Sequence, residues 1–152
     1  MLLEDFHPGD RFTTPERGVD EAEIVAFARD WDPQPFHTDP AAAAASVFGR
    51  HIGSGWHTAA ITMRLWVDHG PMVTGGIVGL GVDELRWGPL LPGDRLRLEV
   101  EVLEVRPSRS GAPRGVVRLR IRTLNQRDEE AQTMVTSILV PSRRADPPPP
   151  AG

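Results

Sequence analysis

Apolar and polar residues alternate with period two along the second half of the chain, which is the pattern of strands with one buried face. The alternation covers four segments: Ile77 to Trp87, Leu96 to Val105, Val116 to Ile121 and Thr133 to Val140. Turn-forming stretches separate them: Gly93-Asp94, Pro107 to Arg114 and Asn125 to Glu130. The pattern therefore predicts about four long antiparallel strands.

The first half of the chain has a helical pattern instead. Asp20 to Glu23 predicts an N-cap with a capping box for a short helix that must end before Pro33. Asp39-Pro40 predicts a second short helix, with proline at its first position. From Gly55 to His69 the segment is apolar on nearly every face, and Gly70-Pro71 ends it. We therefore expect one buried central helix, along which one apolar stripe contains Trp56, Ala60, Met63 and Val67.

Short helices, one buried helix and several long strands predict an α+β domain whose sheet wraps around the central helix. The length of 152 residues suits a single domain, which we place at residues 1–141. The Pro-rich remainder, residues 142–152, is expected to be a disordered tail because it lacks the apolar residues needed to pack.

Three residue types that often carry chemistry are absent: cysteine, lysine and tyrosine. Their absence excludes disulfides, thiolate nucleophiles, Schiff-base lysines and phenolic acids, so histidines and carboxylates remain as proton carriers. The net charge of −4 argues against nucleic-acid binding. No apolar run reaches the roughly 18 residues of a membrane span, and no charged segment precedes an apolar core at the N-terminus. We therefore expect a soluble cytoplasmic protein.

The segment from Asp32 to His37 is the strongest candidate for chemistry. It holds an acid and a histidine five residues apart, with prolines at positions 33 and 35. Each proline fixes its own φ and biases the preceding residue toward extended backbone, so the connection should be stiff and non-helical. A carboxylate and an imidazole held toward one point can orient a water molecule and accept its proton. Alternatively, Asp32 caps a turn and His37 is a surface loop residue, while Asp39 caps the next helix.

A glycine-rich stretch, Ile52 to Trp56, leads into the long helix. The first N–H groups of a helix have no internal partner and carry the positive end of its dipole. Glycine at position 55 lets a substrate approach the backbone. These N–H groups are candidates for holding a carbonyl oxygen as it becomes an enolate. Alternatively, the glycines only allow the chain to turn into the helix.

Two other hypotheses, a zinc site formed by histidines and a cofactor site lined by tryptophans, are less favoured. Zinc would need three ligands, and His37, His51 and His57 have no known ligand spacing, so no metal site is expected. The tryptophans are expected in the core or at an interface and not in a cofactor site: Trp56, Trp66 and Trp87.

Taken together, these segments resemble the MaoC-like dehydratase family, the (R)-specific enoyl-CoA hydratases. The residues that carry the resemblance are Asp32, Gln34, Pro35, His37, Asp39, Phe48-Gly49, Ile52, Gly55 and the turn Gly88 to Asp94. The resemblance extends from about Phe6 to Val140. The chain departs from the family pattern at Gln34, where the family has Asn, and at Pro33, which follows the catalytic Asp.

The resemblance implies a hot dog fold, an antiparallel sheet rolled around one long helix, and pairing as a homodimer. It implies that Asp32 and His37 are the catalytic pair and that the Gly55 N–H is the oxyanion donor. Gln34, Ser54 and Trp56 are expected to contact the substrate.

The implied reaction is the reversible hydration of a 2-enoyl thioester to a 3-hydroxyacyl thioester. Coenzyme A or acyl carrier protein would carry the acyl group, surface arginines would contact the phosphates, and no metal or redox cofactor is expected. The alternatives are thioester hydrolysis and a non-catalytic hot dog subunit that binds acyl groups.

Overall fold

The computed structural model describes residues 1–143, which form four α-helices, one short 3-10 helix (Leu3–Asp5) and six strands. The helices are α1 (Glu21–Trp31), α2 (Pro35–Thr38), α3 (Pro40–Ala44) and α4 (Gly55–His69). The strands are β1 (Arg11–Thr13), β2 (Arg17–Gly18), β3 (Val78–Trp87), β4 (Arg95–Pro107), β5 (Arg114–Leu124) and β6 (Glu130–Pro141). The α+β class is confirmed.

All strand pairs are antiparallel, and the sheet order is β1–β4–β5–β6–β3, with β2 beside β4. One face of β4 and β5 is buried, as the alternation predicted. The buried residues, each at most 2% exposed, include Leu98, Val100, Val102, Val117, Leu119 and Ile121. The other face carries cross-strand ion pairs, such as Arg122 with Glu99 at 2.9 Å.

Helix α4 packs on the buried face of the sheet and supplies Ile61, Leu65 and Trp66 to the same core. This is the predicted architecture, an antiparallel sheet wrapped around one long helix. The two short strands beside β4 were missed, because β1 and β2 span only three and two residues. Strands that short leave no measurable alternation.

The expectation of a non-helical connection between Asp32 and His37 was wrong beyond Gln34. Pro35 is the first residue of the one-turn helix α2, on which His37 lies. A proline is tolerated there because the first N–H groups of a helix have no intrahelical acceptor. The predicted N-cap of α1 is confirmed, because Asp20 accepts from the N–H of Glu23 at 2.8 Å. The predicted capping box is not, since the Glu23 carboxylate pairs with Arg17 instead.

The expectation that the α4 stripe is buried was also wrong. Trp56, Met63 and Val67 are 59%, 52% and 59% exposed. The buried face contains His57, Thr58, Ile61, Thr62, Leu65 and Trp66. Among its polar residues, Thr62 finds a partner there, because its hydroxyl donates to the Thr58 carbonyl at 2.8 Å. The Thr58 hydroxyl and His57 Nδ1 are buried without a hydrogen bond within residues 1–143.

The predicted domain boundary at residue 141 coincides with the end of β6 at Pro141. Just beyond it, the N–H of Ser142 donates to the Pro113 carbonyl at 2.9 Å, and Arg143 pairs with Asp5 at 2.8 Å. The remainder of the predicted tail, residues 144–152, lies outside the described residues. No helix within residues 1–143 is both long and apolar enough to cross a membrane.

Candidate active site

Asp32 lies at the end of α1, where its N–H donates to the Ala28 carbonyl at 2.9 Å. Its carboxylate accepts one hydrogen bond from Ser54 Oγ and one from Gln34 Nε2, each at 2.7 Å. Burial raises the pKa of Asp32, but these two hydrogen bonds and the nearby His37 together lower it further, so the net pKa lies below the ordinary 3.8. The carboxylate is therefore ionised at neutral pH.

The His37 ring is buried beside this carboxylate. Its Nδ1 lies 2.8 Å from the Ile52 carbonyl oxygen. Because a carbonyl oxygen only accepts hydrogen bonds, Nδ1 carries a proton. Nε2 then faces Asp32 Oδ2 at 3.3 Å. This arrangement leaves Nε2 as the ring atom that can take up or release a proton.

Gly55 is the first residue of α4, and its N–H is absent from the hydrogen bonds formed among residues 1–143. This N–H belongs to the set that has no intrahelical acceptor. Ser54 caps the helix by accepting from the Trp56 N–H at 3.2 Å while it donates to Asp32. The helix start and the carboxylate are therefore joined through one hydroxyl.

His37 and Gly55 line the same cavity, which has a volume of about 480 Å³. This size lies within the range of small-molecule sites, roughly 300–1,000 Å³. Arg50 contributes a guanidinium to the wall. The aromatic part of the wall consists of Phe36, Phe48 and Trp87. The cavity thus combines an imidazole, an open helix N-terminus and apolar surface.

Trp87 packs directly on Gly55, because a Cβ added at this glycine would lie 2.4 Å from the Trp87 Cδ2 atom. The indole N–H donates to Gln132 Oε1 at 2.8 Å, and Gln132 Nε2 donates to Thr62 Oγ1 at 3.2 Å. The buried face of α4 therefore fixes one wall of the cavity through a chain of hydrogen bonds.

Gln34 and Ser54 bind the Asp32 carboxylate, and neither is among the residues that line the cavity. Trp56 packs edge-on against Trp87, with ring centroids 4.8 Å apart. The predicted contacts of these three residues with substrate stay predictions. Their observed role is to hold groups that belong to the site.

The alternative assignments of the first two candidates do not fit this geometry. The Asp32 carboxylate is held by two side chains and not by turn backbone, and His37 is buried, not a surface residue. Asp39 does cap α3, as predicted, by accepting from the N–H groups of Ala41 and Ala42.

The three histidines considered for zinc point to different partners. His51 Nε2 lies 2.7 Å from the His37 carbonyl oxygen, and His57 Nε2 lies 3.5 Å from Glu23 Oε1. Within residues 1–143 no three side chains of the metal-binding types come together to hold an ion.

The cavity wall, to which Arg50 and Trp87 contribute, was not predicted from the sequence. Nor were the two groups that contact His37, the Ile52 carbonyl and the His51 ring. The acceptor for the His37 ring is a backbone carbonyl, which has no residue-type signal. The wall combines segments that are far apart in the chain, so only the fold brings them together. From the sequence, His51 was considered only as a metal ligand, although it directly precedes Ile52, whose carbonyl contacts the His37 ring.

This geometry defines a class of protein. It is a hot dog protein with an ionised aspartate and a histidine of fixed tautomer beside an open helix N-terminus. The family model of the MaoC like domain matches residues 5–123. The chain belongs to this family.

The chain is similar to many solved structures, of which three bear on its class and fold. The crystal structure of the MaoC-like dehydratase from Rhodospirillum rubrum is 46% identical, with a TM-score of 0.90; the match covers 95% of this chain and 99% of that one. The (R)-hydratase from A. caviae involved in PHA biosynthesis is 28% identical, with a TM-score of 0.74 over 91% of this chain and 99% of that one.

The third structure bears on the fold alone. It is a Mycobacterium tuberculosis protein with a double hot dog fold, 17% identical, with a TM-score of 0.75. The match covers 98% of this chain but 46% of that one, so this chain spans about half of the double fold. The hot dog fold implied by the sequence is confirmed.

Proposed function

We propose that the protein catalyses the reversible hydration of a trans-2-enoyl thioester to a 3-hydroxyacyl thioester. The observation that supports this most directly is the placement of Nε2 of His37 at 3.3 Å from Asp32 Oδ2, in a ring whose Nδ1 is already committed to Ile52. Such a pair can present a proton acceptor and an anion to one water molecule that contacts both. The (R)-hydratase activity named for the A. caviae protein supports the same reaction class.

In the proposed mechanism, His37 Nε2 and the Asp32 carboxylate orient the water, and its oxygen forms a bond to C3 of the enoyl group. The proton lost by the water passes to the Asp32/His37 pair. The electrons of the C2–C3 double bond move to the thioester carbonyl, and the Gly55 N–H donates to the enolate oxygen. The pair then returns a proton to C2. Dehydration follows the same steps in reverse.

The acyl group would enter the cavity as part of a coenzyme A or acyl carrier protein thioester. The aromatic wall suits an acyl chain, and Arg50 offers a cation to an anionic group of the substrate. The chemistry proposed here uses only side chains and backbone of the chain, so no separate cofactor is invoked.

The test follows loss of the conjugated enoyl absorbance of crotonyl-CoA with the wild type and with Asp32→Asn. We expect the wild type to form 3-hydroxybutyryl-CoA and the variant to be slower by about 10²–10⁴-fold. Asp30→Asn is the matched control, because Asp30 is an exposed carboxylate on the same helix, two residues away. Its rate should equal that of the wild type.

Three outcomes would count against the proposal. Equal rates for Asp32→Asn and the wild type would remove the aspartate from the mechanism. Release of free thiol would indicate thioester hydrolysis instead. Binding of enoyl-CoA compounds of several chain lengths without turnover would indicate a non-catalytic acyl-binding subunit.

The proposed assembly is a homodimer formed through β3 and the outer face of α4. Strand β3 is at one end of the sheet, so one of its edges has no partner strand within residues 1–143. Val78, Leu80 and Val82 on it are each about half exposed, at 51%, 54% and 52%. An apolar cavity of about 390 Å³ lies between this strand and α4.

An exposed apolar edge strand of this kind is expected to pack against another protein surface. A second copy is the occupant we favour, because one surface can pair with itself about a two-fold axis. The double hot dog fold of the M. tuberculosis protein supports this choice, since that single chain holds about twice the length of this one.

A further inference from the structure

We infer that His51 is a positioning residue that fixes the catalytic histidine, His37, through its backbone. This inference rests on the proposed function in so far as His37 is taken as catalytic. His51 had no assigned role beyond the zinc hypothesis, which its contacts do not support.

The first observation is the use of the His51 ring. Its Nε2 lies 2.7 Å from the carbonyl oxygen of His37, so Nε2 carries the proton and donates it. Nδ1 forms no hydrogen bond within residues 1–143 and lies 3.7 Å from Glu21 Oε2. The ring is therefore anchored through a single strong contact, and that contact is to the backbone of His37.

The second observation is the burial of this ring. The His51 side chain is 6% exposed, and burying a polar ring with one unpaired nitrogen has a desolvation cost that its single hydrogen bond offsets only in part. If packing were the only requirement, an apolar side chain would fill the space without that cost. The hydrogen bond to His37 is the property that an apolar residue could not supply.

The third observation is the weakness of the element that carries His37. Helix α2 has only four residues, so it is a single turn, and the last carbonyls of a helix have no intrahelical donor. Isolated turns of this length are not stable by themselves. His51 supplies a donor to one of those carbonyls and thereby holds the turn in place.

The neighbouring residue completes the arrangement. Ile52 accepts from Nδ1 of the His37 ring at 2.8 Å, while His51 donates to the His37 carbonyl at 2.7 Å. Two consecutive residues thus fix both the backbone position and the ring orientation of one histidine. His51 itself is not among the residues that line the cavity, so it acts on the reaction only through His37.

The test compares His51→Leu, which lacks a donor, with His51→Gln, whose amide N–H can replace Nε2–H. A small displacement of a catalytic group can lower a rate by about 10²-fold. We therefore expect His51→Leu to lower kcat for crotonyl-CoA by about 10–100-fold with little change in KM, and His51→Gln to recover most of this loss.

His57→Leu is the matched control for the loss of a buried histidine. The His57 side chain is 4% exposed and approaches Glu23, with no hydrogen bond to His37. Both leucine variants should lower Tm, but only His51→Leu should lower kcat. Equal kcat losses in the two leucine variants, or no loss in His51→Leu, would overturn the inference.

A second readout does not depend on turnover. ¹⁵N NMR of the histidine rings reports the tautomer and titration of His37, whose signals are identified by their absence in His37→Gln. We expect these signals to change in His51→Leu and to stay unchanged in His57→Leu. Unchanged His37 signals in His51→Leu would overturn the inference even if the protein has no hydratase activity. If the wild type is inactive but the His37 signals change in His51→Leu, only the proposed reaction is overturned.

Discussion

Both faces of α4 contain residues that depart from the usual relation between polarity and burial. The inner face buries two threonines and a histidine, whereas the outer face exposes a methionine, a valine and a tryptophan. Thr62 on the inner face is hydrogen-bonded across the core: its Oγ1 lies 2.7 Å from Thr123 Oγ1 and accepts from Gln132. The Thr58 hydroxyl has no hydrogen-bond partner within residues 1–143. The outer apolar groups have no cover within residues 1–143.

This comparison shows that residue type alone does not decide burial, and that the hydrogen bonds of Thr62 compensate for the burial of its hydroxyl. Thr62 on the inner face supports the site, because its hydrogen bond with Gln132 leads to Trp87, which packs on Gly55. The outer face is explained by the proposed second copy. Substitutions on either face can therefore separate assembly from the integrity of the site.

The largest effect is expected on the outer face. Met63→Arg places an unpaired charge in the proposed interface, and an uncompensated buried charge costs about 3–5 kcal/mol. The dissociation constant of the dimer should then rise by about 100-fold or more. Size-exclusion chromatography with light scattering, at concentrations where the wild type is a dimer, measures this change.

Val47→Arg is the matched control, because Val47 is 94% exposed and lies outside α4 and β3. It should leave the assembly unchanged. A wild-type protein that is monomeric at all concentrations, or a Met63→Arg variant that still forms dimers, would contradict the proposed use of the outer face.

The next effect is expected where α4 begins. Gly55→Ala would place its Cβ 2.4 Å from Trp87 Cδ2, so the indole ring or the start of α4 must shift. Such overpacking costs about 1–3 kcal/mol, and either shift should also lower the hydration rate. Urea unfolding measures the free energy, and the crotonyl-CoA assay measures the rate.

Gly18→Ala provides the comparison for this variant, since a Cβ at Gly18 meets no atom within 4 Å. It should be nearly neutral in both measurements. If Gly55→Ala were equally neutral, Trp87 would not be the rigid wall that its contact with Gln132 indicates.

A smaller effect is expected from Thr62→Val on the inner face. The change keeps the shape of the side chain but removes the oxygen that Gln132 and Thr123 share. Leaving such buried groups without a partner costs about 1–3 kcal/mol, measured as the free energy of unfolding in urea. Thr13→Val, at an exposed position on β1, should change stability little. A neutral Thr62→Val would mean that these hydrogen bonds do not stabilise the inner face.

The limits of α4 were predictable from sequence because they depend on local signals, the cap at Ser54 and the Gly70-Pro71 stop. Which face is buried was not predictable, because the hydrogen bond between Thr62 and Thr123 joins positions 61 residues apart. The same apolar pattern predicts a buried face whether the cover is the chain's own sheet or another subunit.

The candidate site, like α4, has parts that were predictable from the sequence and parts that were not. Asp32 and His37 could be paired from sequence because they are five residues apart and joined by a short, proline-rich connection. Trp87 and Gln132 were not predictable as parts of the site, since the two residues are 45 positions apart in the sequence. The acceptor for the His37 ring is a main-chain carbonyl, which every residue has.

The smallest expected effect concerns His57 on the inner face. Burial lowers the pKa of His57 below its ordinary 6.5, more than Glu23 raises it. Between these two pKa values the unfolded chain binds more protons than the folded one, so this contribution to stability is present above pH 6.5 and is lost as the pH falls toward the folded-state pKa. For one proton the slope is at most about 1.4 kcal/mol per pH unit.

We therefore expect the free energy of unfolding to fall less steeply between pH 7.5 and 5.5 in His57→Gln than in the wild type, as ~1.4 kcal/mol per pH unit is the limit for a single group. His69→Gln, at the exposed end of the same helix, controls for the loss of an imidazole and should keep the wild-type slope. Parallel slopes for His57→Gln and the wild type would mean that the inner face accommodates a charged imidazole. The contrast between the two faces would then rest on the threonines alone.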